Sequence, residues 1–201
     1  MDFKKVKLVL ENRGFIVTVF QTAEEAANYL DMKIDNKTVA SGGSITLEQL
    51  NMFERLSAHN EVISHWHLPA GVDKMERMKE AGRAQIFLTS ANALAETGEI
   101  VNIDGVGNRV SSTLFGHEKV YFVIGKNKLV PTYDDAIWRA RNIAAPKNAQ
   151  HRNRKTPCAV NADRCYDCNS PERVCRALVV LWGAVTGCQT EIVLVNEDLG
   201  M

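Results

Sequence analysis

The chain has 201 residues, 24 Lys and Arg against 24 Asp and Glu, and 45% apolar residues. This is the balance of a globular protein rather than a disordered or fibrous one, and the length suits one domain, 1–201. Formal neutrality argues against wholesale binding of nucleic acid or an anionic membrane. The longest apolar run, Ala177 to Val185, is far short of a membrane span, and the N-terminal residues are too charged for a signal peptide. The expectation is a cytoplasmic protein with no nucleic-acid or membrane partner.

Helical and extended patterns alternate, which predicts an α/β fold: a Rossmann-like open, mainly parallel sheet flanked by helices. Residues 3–12 read as a helix stopped at Gly14, Phe15 to Phe20 as a β-branched strand, and Thr22 with Glu25 as a capping box opening a second helix. Val39-Ala40 runs into Ser41-Gly42-Gly43-Ser44, after which Leu47, Leu50, Phe53 and Leu56 form a helical stripe. Val62-Ile63 and Ile86 to Thr89 read as short strands. Gly98 to Val110 reads as a hairpin around Asp104-Gly105, followed by a strand from Val120 to Ile124. Thr132 and Asp135 cap a helix that runs to Pro146, a last helix is expected from Ser170-Pro171, and Ile192 to Val195 supply a closing strand.

One stretch departs from the rest. Ala136 to Ala162 contains no acid but carries Arg139, Arg141, Lys147, Arg152, Arg154 and Lys155. Its later part belongs to a basic, cysteine-bearing excursion over 147–170, which is either a solvated loop or a docking site for an anionic ligand or acidic partner.

Three loops are candidates for binding a small anion. Gly42, Gly43 and Ser44 stand at a strand-to-helix junction, where exposed amides and a helix N-terminus attract negative charge. Neither the phosphate-loop nor the dinucleotide spacing is present. Asn92, Glu96 and Thr97 follow a strand end, where open α/β sheets place ligands. Asp104, Gly105, Gly107, Asn108 and Arg109 combine glycines for close approach with a guanidinium suited to a carboxylate or phosphate. Lys126, after another strand, is expected to point at the same crevice. His65 and His67 read as structural or surface residues, since nothing pairs their rings with a third group.

The cysteines form Cys158-x6-Cys165-x2-Cys168-x6-Cys175, with Cys188 apart. Four thiolates complete a tetrahedral zinc site or hold an iron–sulfur cluster, although the outer gaps match neither a zinc ribbon nor a ferredoxin run. Free thiols and a redox pair at Cys165 and Cys168 are the alternatives. Cys175 is expected one turn into the last helix.

Taken together, these segments resemble the LUD domain, the family of lactate utilisation protein C. The resemblance is carried by Ser41-Gly-Gly-Ser-Ile-Thr-Leu47, Leu88 through Glu99, Asn102-Ile-Asp-Gly-Val-Gly-Asn-Arg109, Gly125-Lys-Asn-Lys128, Arg141-Asn-Ile-Ala-Ala-Pro146, the cysteine block with Ser170-Pro-Glu-Arg173, and Val195 through Gly200. It implies a fold similar to the ribose-5-phosphate isomerase, glucosamine-6-phosphate deaminase and CoA-transferase group. It also implies a subunit or accessory role in oxidising L-lactate to pyruvate beside iron–sulfur partner proteins. An isomerase or CoA-transferase reading would rest on Glu96 as catalytic group, because Asn92 stands where such isomerases carry an acid and cannot exchange a proton. A metal-binding redox or assembly module is a third reading. The sequence leaves a homo-oligomer open.

Overall fold

The computed structural model describes residues 3–201. The helix α1 (Phe3–Asn12) leads into β1 (Ile16–Phe20), and the Thr22–Glu25 capping box opens α2 (Ala23–Lys33) as expected. There follow β2 (Thr38–Ser41), α3 (Ile45–Gln49), α4 (Met52–Ser57), β3 (Glu61–Ser64), α5 (Lys74–Ala81) and β4 (Ile86–Thr89). Next come β5 (Ala93–Ala95), β6 (Ile100–Asp104), α6 (Asn108–Ser112), β7 (Lys119–Gly125) and β8 (Leu129–Val130). The chain continues through α7 (Tyr133–Arg139), α8 (Ala145–His151), α9 (Pro157–Asn161), β9 (Ala177–Leu181) and β10 (Gln189–Val195).

Six strands form a parallel sheet in the order β1-β10-β7-β4-β2-β3, and four form a second, mixed sheet in the order β8-β5-β6-β9. The central strand β7 shows why the parallel sheet is buried on both faces. Val120, Phe122 and Ile124 join Val6, Leu10 and Leu94 on one side, while Tyr121 and Val123 join Leu30, Leu47 and Leu56 on the other. A continuous apolar run with period-two division is the pattern of a strand covered twice. Against the second sheet, α7 contributes Ala136, and Ala140 follows it, beside Ala93, Ala95 and Val101. No helix among the described residues is long and apolar enough to cross a membrane.

Four local expectations are corrected. The Leu47–Leu56 stripe is two short helices, because Asn51 takes a left-handed conformation (φ 49°) between them. The hairpin turns at Glu96 to Glu99, where Gly98 N donates to Ala95 O, and not at Asp104-Gly105. Asp104 instead accepts from Val106 N, Gly107 N and Val110 N, an Asx-type arrangement that opens α6.

The helix from Tyr133 does not end at Pro146 but continues to His151. A π-helical turn over Ala140–Ala144, with Ala145 N donating to Ala140 O, loosens the ladder just ahead of the proline, which has no N–H to place. No helix follows Ser170-Pro171. Ser170 makes a tight turn, its Oγ accepting from Glu172 N and its carbonyl from Arg173 N. The β-branched run beyond pairs as β9 with β6, from Asp104↔Ala177 to Ile100↔Leu181. Ser-Pro suits a turn as well as a helix start, and the open edge of β6 decides between them.

Candidate ligand-binding site

The carboxyl ends of β2, β3, β4 and β7 open into one cavity of about 600 Å³. Its wall takes Gly43 to Thr46 after β2, His65 and Trp66 after β3, and Ser90 to Asn92 after β4. Lys128, in the 3-10 turn Lys126–Lys128 after β7, also lines it. Open α/β sheets bind ligands at this end, and the volume lies in the range of small-molecule sites.

The lining is strongly cationic. Lys74, Arg109, Lys128, Arg152, Arg154, Arg173 and Arg176 face Asp73, Asp104 and Glu172. Those three carboxylates are already engaged. Asp73 caps α5 by accepting from Met75 N and Glu76 N, Asp104 organises its own loop, and Glu172 accepts from Lys155 N. Arg152 and Arg154 bring the acid-free stretch over the crevice.

Lys128 is the most unusual of these groups. Its side chain is 3% exposed and makes no ion pair with a side-chain carboxylate among the described residues. Nζ donates to Thr46 Oγ1 (2.9 Å) and Ser90 Oγ (2.7 Å), and Ser90 Oγ in turn donates to Val123 O (2.6 Å). Burial first, then the charges of Arg139 and Arg109, pull the amine down to about 7.

The two arginines are braces. Arg109 Nη1 donates to Ser90 O (3.0 Å) and Asn102 Oδ1, and Nη2 donates to Ile103 O (2.8 Å) and Asn92 Oδ1 (3.5 Å). Arg139 reaches Asn127 O (3.0 Å), Asn92 O and a main-chain oxygen of Met201 (3.2 Å). Their donors serve the protein, and both charges lie beside Lys128, that of Arg109 partly offset by Asp104 Oδ2 at 3.8 Å from its Nε. His65 is buried, its Nδ1 has no partner among the described residues, and burial with Lys74 and Arg152 nearby pulls its ring down to about 4.

Of the predicted residues, Gly43, Ser44, Asn92, Asp104, Gly105, Asn108 and Arg109 line the cavity. Gly42 stands outside the lining, against Arg109, and a Cβ on Gly43 would lie 2.5 Å from the Trp66 indole. The glycines therefore admit two side chains, and the five-residue α3 is too short to act as an anion-binding helix terminus. Gly107 opens α6 (φ 95°) and is also outside the lining. Glu96 and Thr97 sit at the β5–β6 turn, where Thr97 donates to Glu99, and neither lines the cavity. Lys126 is exposed and outside it too. Sequence reasoning missed Lys128, although Gly125-Lys-Asn-Lys128 had marked the loop, and it read His65, which lines the cavity, as a structural or surface residue.

The four clustered cysteines are free thiols that line a second, small cavity bordering the first. No group of three or more His, Cys, Asp or Glu among the described residues stands in geometry to hold a metal ion. Cys175 lies in irregular backbone, so the helix-dipole argument for its thiolate does not apply.

A family model described as the LUD domain matches residues 3–195. The chain is similar in fold to the crystal structure of a DUF162 family protein from Deinococcus radiodurans, 17% identical over 96% of this chain and 94% of that one, with a TM-score of 0.55. A ribose 5 phosphate isomerase A from Neisseria gonorrhoeae matches over 56% of this chain and 52% of that one at 17% identity, and its TM-score of 0.33 carries no argument. None of the curated proteins matches the chain.

Proposed function

Since the chain belongs to the LUD domain family, and is in that general sense a lactate-utilisation-type protein, we propose that its cavity binds a small anionic metabolite. The chain serves in this reading as a subunit or accessory of an L-lactate-oxidising system, beside iron–sulfur partner proteins. One observation carries it: Lys128 is buried at the cavity and makes no ion pair with a carboxylate among the described residues, with two guanidinium charges nearby adding to its own. A buried ammonium costs free energy unless a counter-charge meets it. The hydroxyls of Thr46 and Ser90 take two of its three donors, which leaves one N–H for a ligand oxygen.

A bound carboxylate or phosphate would draw the lysine back to its protonated form, so anion binding takes up protons above neutrality. Arg152 and Arg154, exposed residues of the cavity lining, attract the ligand and cover it in this reading. Glu96, outside the cavity, supports no isomerase or CoA-transferase step there.

Titration calorimetry with L-lactate, pyruvate and sulfate tests the reading. At least one is expected to bind in the wild type, with affinity lost in Lys128→Met. Equal affinity in that variant would refute it.

A further inference from the structure

We propose that Cys158, Cys165, Cys168 and Cys175 bind one tetrahedral divalent metal ion, zinc in the ordinary case, which clips the loop forming one wall of the anion cavity. All four line a single cavity of about 10 Å³ together with Arg141 and Arg173. That volume is about one water-sized body, the scale of a single ion rather than of a multi-iron cluster. The four cysteines line this space, but among the described residues no three of them stand in geometry to hold an ion in this arrangement. A cysteine moves its sulfur by rotation about one side-chain bond, and in this proposal the four thiols close onto the ion in that way.

The surroundings suit metal-bound thiolate. Asp167, in the left-handed conformation (φ 45°), turns its N–H to Cys165 Sγ at 3.4 Å, which folds Cys165-x2-Cys168 back on itself as a chelating pair needs. Arg141 Nη2 also approaches Cys165 Sγ at 3.9 Å, and Thr156 Oγ1 lies 3.3 Å from Cys158 Sγ. Such outer hydrogen bonds orient sulfur ligands and spread their charge. Four thiolates around a divalent ion leave two negative charges, which Arg141 and Arg173 offset.

The loop also needs a clip. No residue from Val160 to Val180 is buried, and 163–176 contains neither helix nor strand. Segments with so little core are the ones that metals stabilise. This loop nevertheless presents Arg173, Val174 and Arg176 to the larger cavity, and Val174 O packs so closely on Gly105 that a Cβ there would lie 2.6 Å away. Arg173 joins the two sites directly, donating to Cys168 O (2.9 Å) and Cys175 O (2.8 Å).

The full chain, purified without oxygen, is analysed for zinc, iron and acid-labile sulfide. One zinc per chain is expected, lost in Cys165→Ser and kept in Cys188→Ser, whose sulfur is packed against the core elsewhere. Should the Cys165 variant fail to fold, the wild type carries the test. N-ethylmaleimide should spare four thiols until a chelator is added, and trypsin cleavage after Arg164 or Arg173 should rise several-fold on chelation. Iron with sulfide, no metal with all five thiols reactive, or unchanged metal in Cys165→Ser would each overturn the proposal. None of these readings depends on the anion site.

Discussion

Replacing Lys128 by methionine should stabilise the protein while abolishing anion binding. The ammonium drops from 10.5 in the unfolded chain to about 7 in the folded one. At roughly 1.4 kcal/mol per pKa unit, holding it protonated costs about 5 kcal/mol below neutrality. Methionine is nearly isosteric and removes that cost, but it forfeits two hydrogen bonds of about 1 kcal/mol each. Thr46 Oγ1 and Ser90 Oγ still bond to each other at 3.3 Å, so no buried polar atom is stranded. The net gain is about 2–3 kcal/mol at pH 7, or on the order of 5–10 °C in Tm for a chain of this size. The sign of the pH dependence is fixed as well. Between pH 7 and 10.5 the unfolded wild type binds more protons than the folded one. Wild-type stability therefore climbs with pH across that window, and the advantage of Lys128→Met shrinks. Urea denaturation at several pH values reads both effects. A variant less stable than wild type at neutral pH would mean that the lysine is neutralised inside the protein, and the anion-site argument would fall with it.

Affinity for L-lactate or sulfate, whose own charges are constant near neutrality, should be flat below pH 7 and decline as Lys128 loses its proton above it. Calorimetry in buffers of different ionisation enthalpy should register proton uptake with binding. Glu191 is 1% exposed and joins Lys119 (2.7 Å), Tyr29 OH (2.8 Å) and Thr18 Oγ1 (3.1 Å) between β1, β7 and α2. Glu191→Ala should cost about 2–4 kcal/mol in denaturant titrations, because it leaves the half-buried Lys119 ammonium unpaired and removes the hydrogen bonds to Tyr29 and Thr18. Gly43→Ala should cost about 1–3 kcal/mol by pushing on the Trp66 indole, and Trp66 fluorescence should shift. Glu96→Gln should leave lactate affinity within twofold of wild type, and a tenfold loss would return that carboxylate to the site.

What the sequence made legible was local. The two capping boxes, at Thr22 and Thr132, are bonds between residues three apart, and both form. The apolar alternation of 120–124 is a property of the strand itself. The parallel sheet and the loops at its carboxyl ends followed from that patterning. Lys128 was hidden because its burial is made by distant partners: Thr46 from α3, Ser90 after β4, and Gly200, where a Cβ would come within 3.0 Å of the amine. Arg109 was legible as a site residue but not as a brace, since its acceptors are carbonyls that no pattern marks. The run after Ser170-Pro171 failed for the same reason, its fate being settled by the edge of β6, some seventy residues earlier.

The π-helical turn at Ala140–Ala144 sets the phase of everything after it. Ala144, Asn148 and Arg152, spaced four apart, face the cavity from the far side of that turn, while Arg139 points to Asn127 from the near side. Each residue of a helix turns the chain by about 100°. The wide turn takes up one residue more than an α-helical turn, so losing a residue there would restore regular α-helix and leave Arg152 facing the crevice. Losing one from the regular helix beyond it would instead swing Arg152 away by about 100°. Among relatives, a one-residue difference inside this turn is therefore compatible with a shared pocket, while one in the helix beyond it is not.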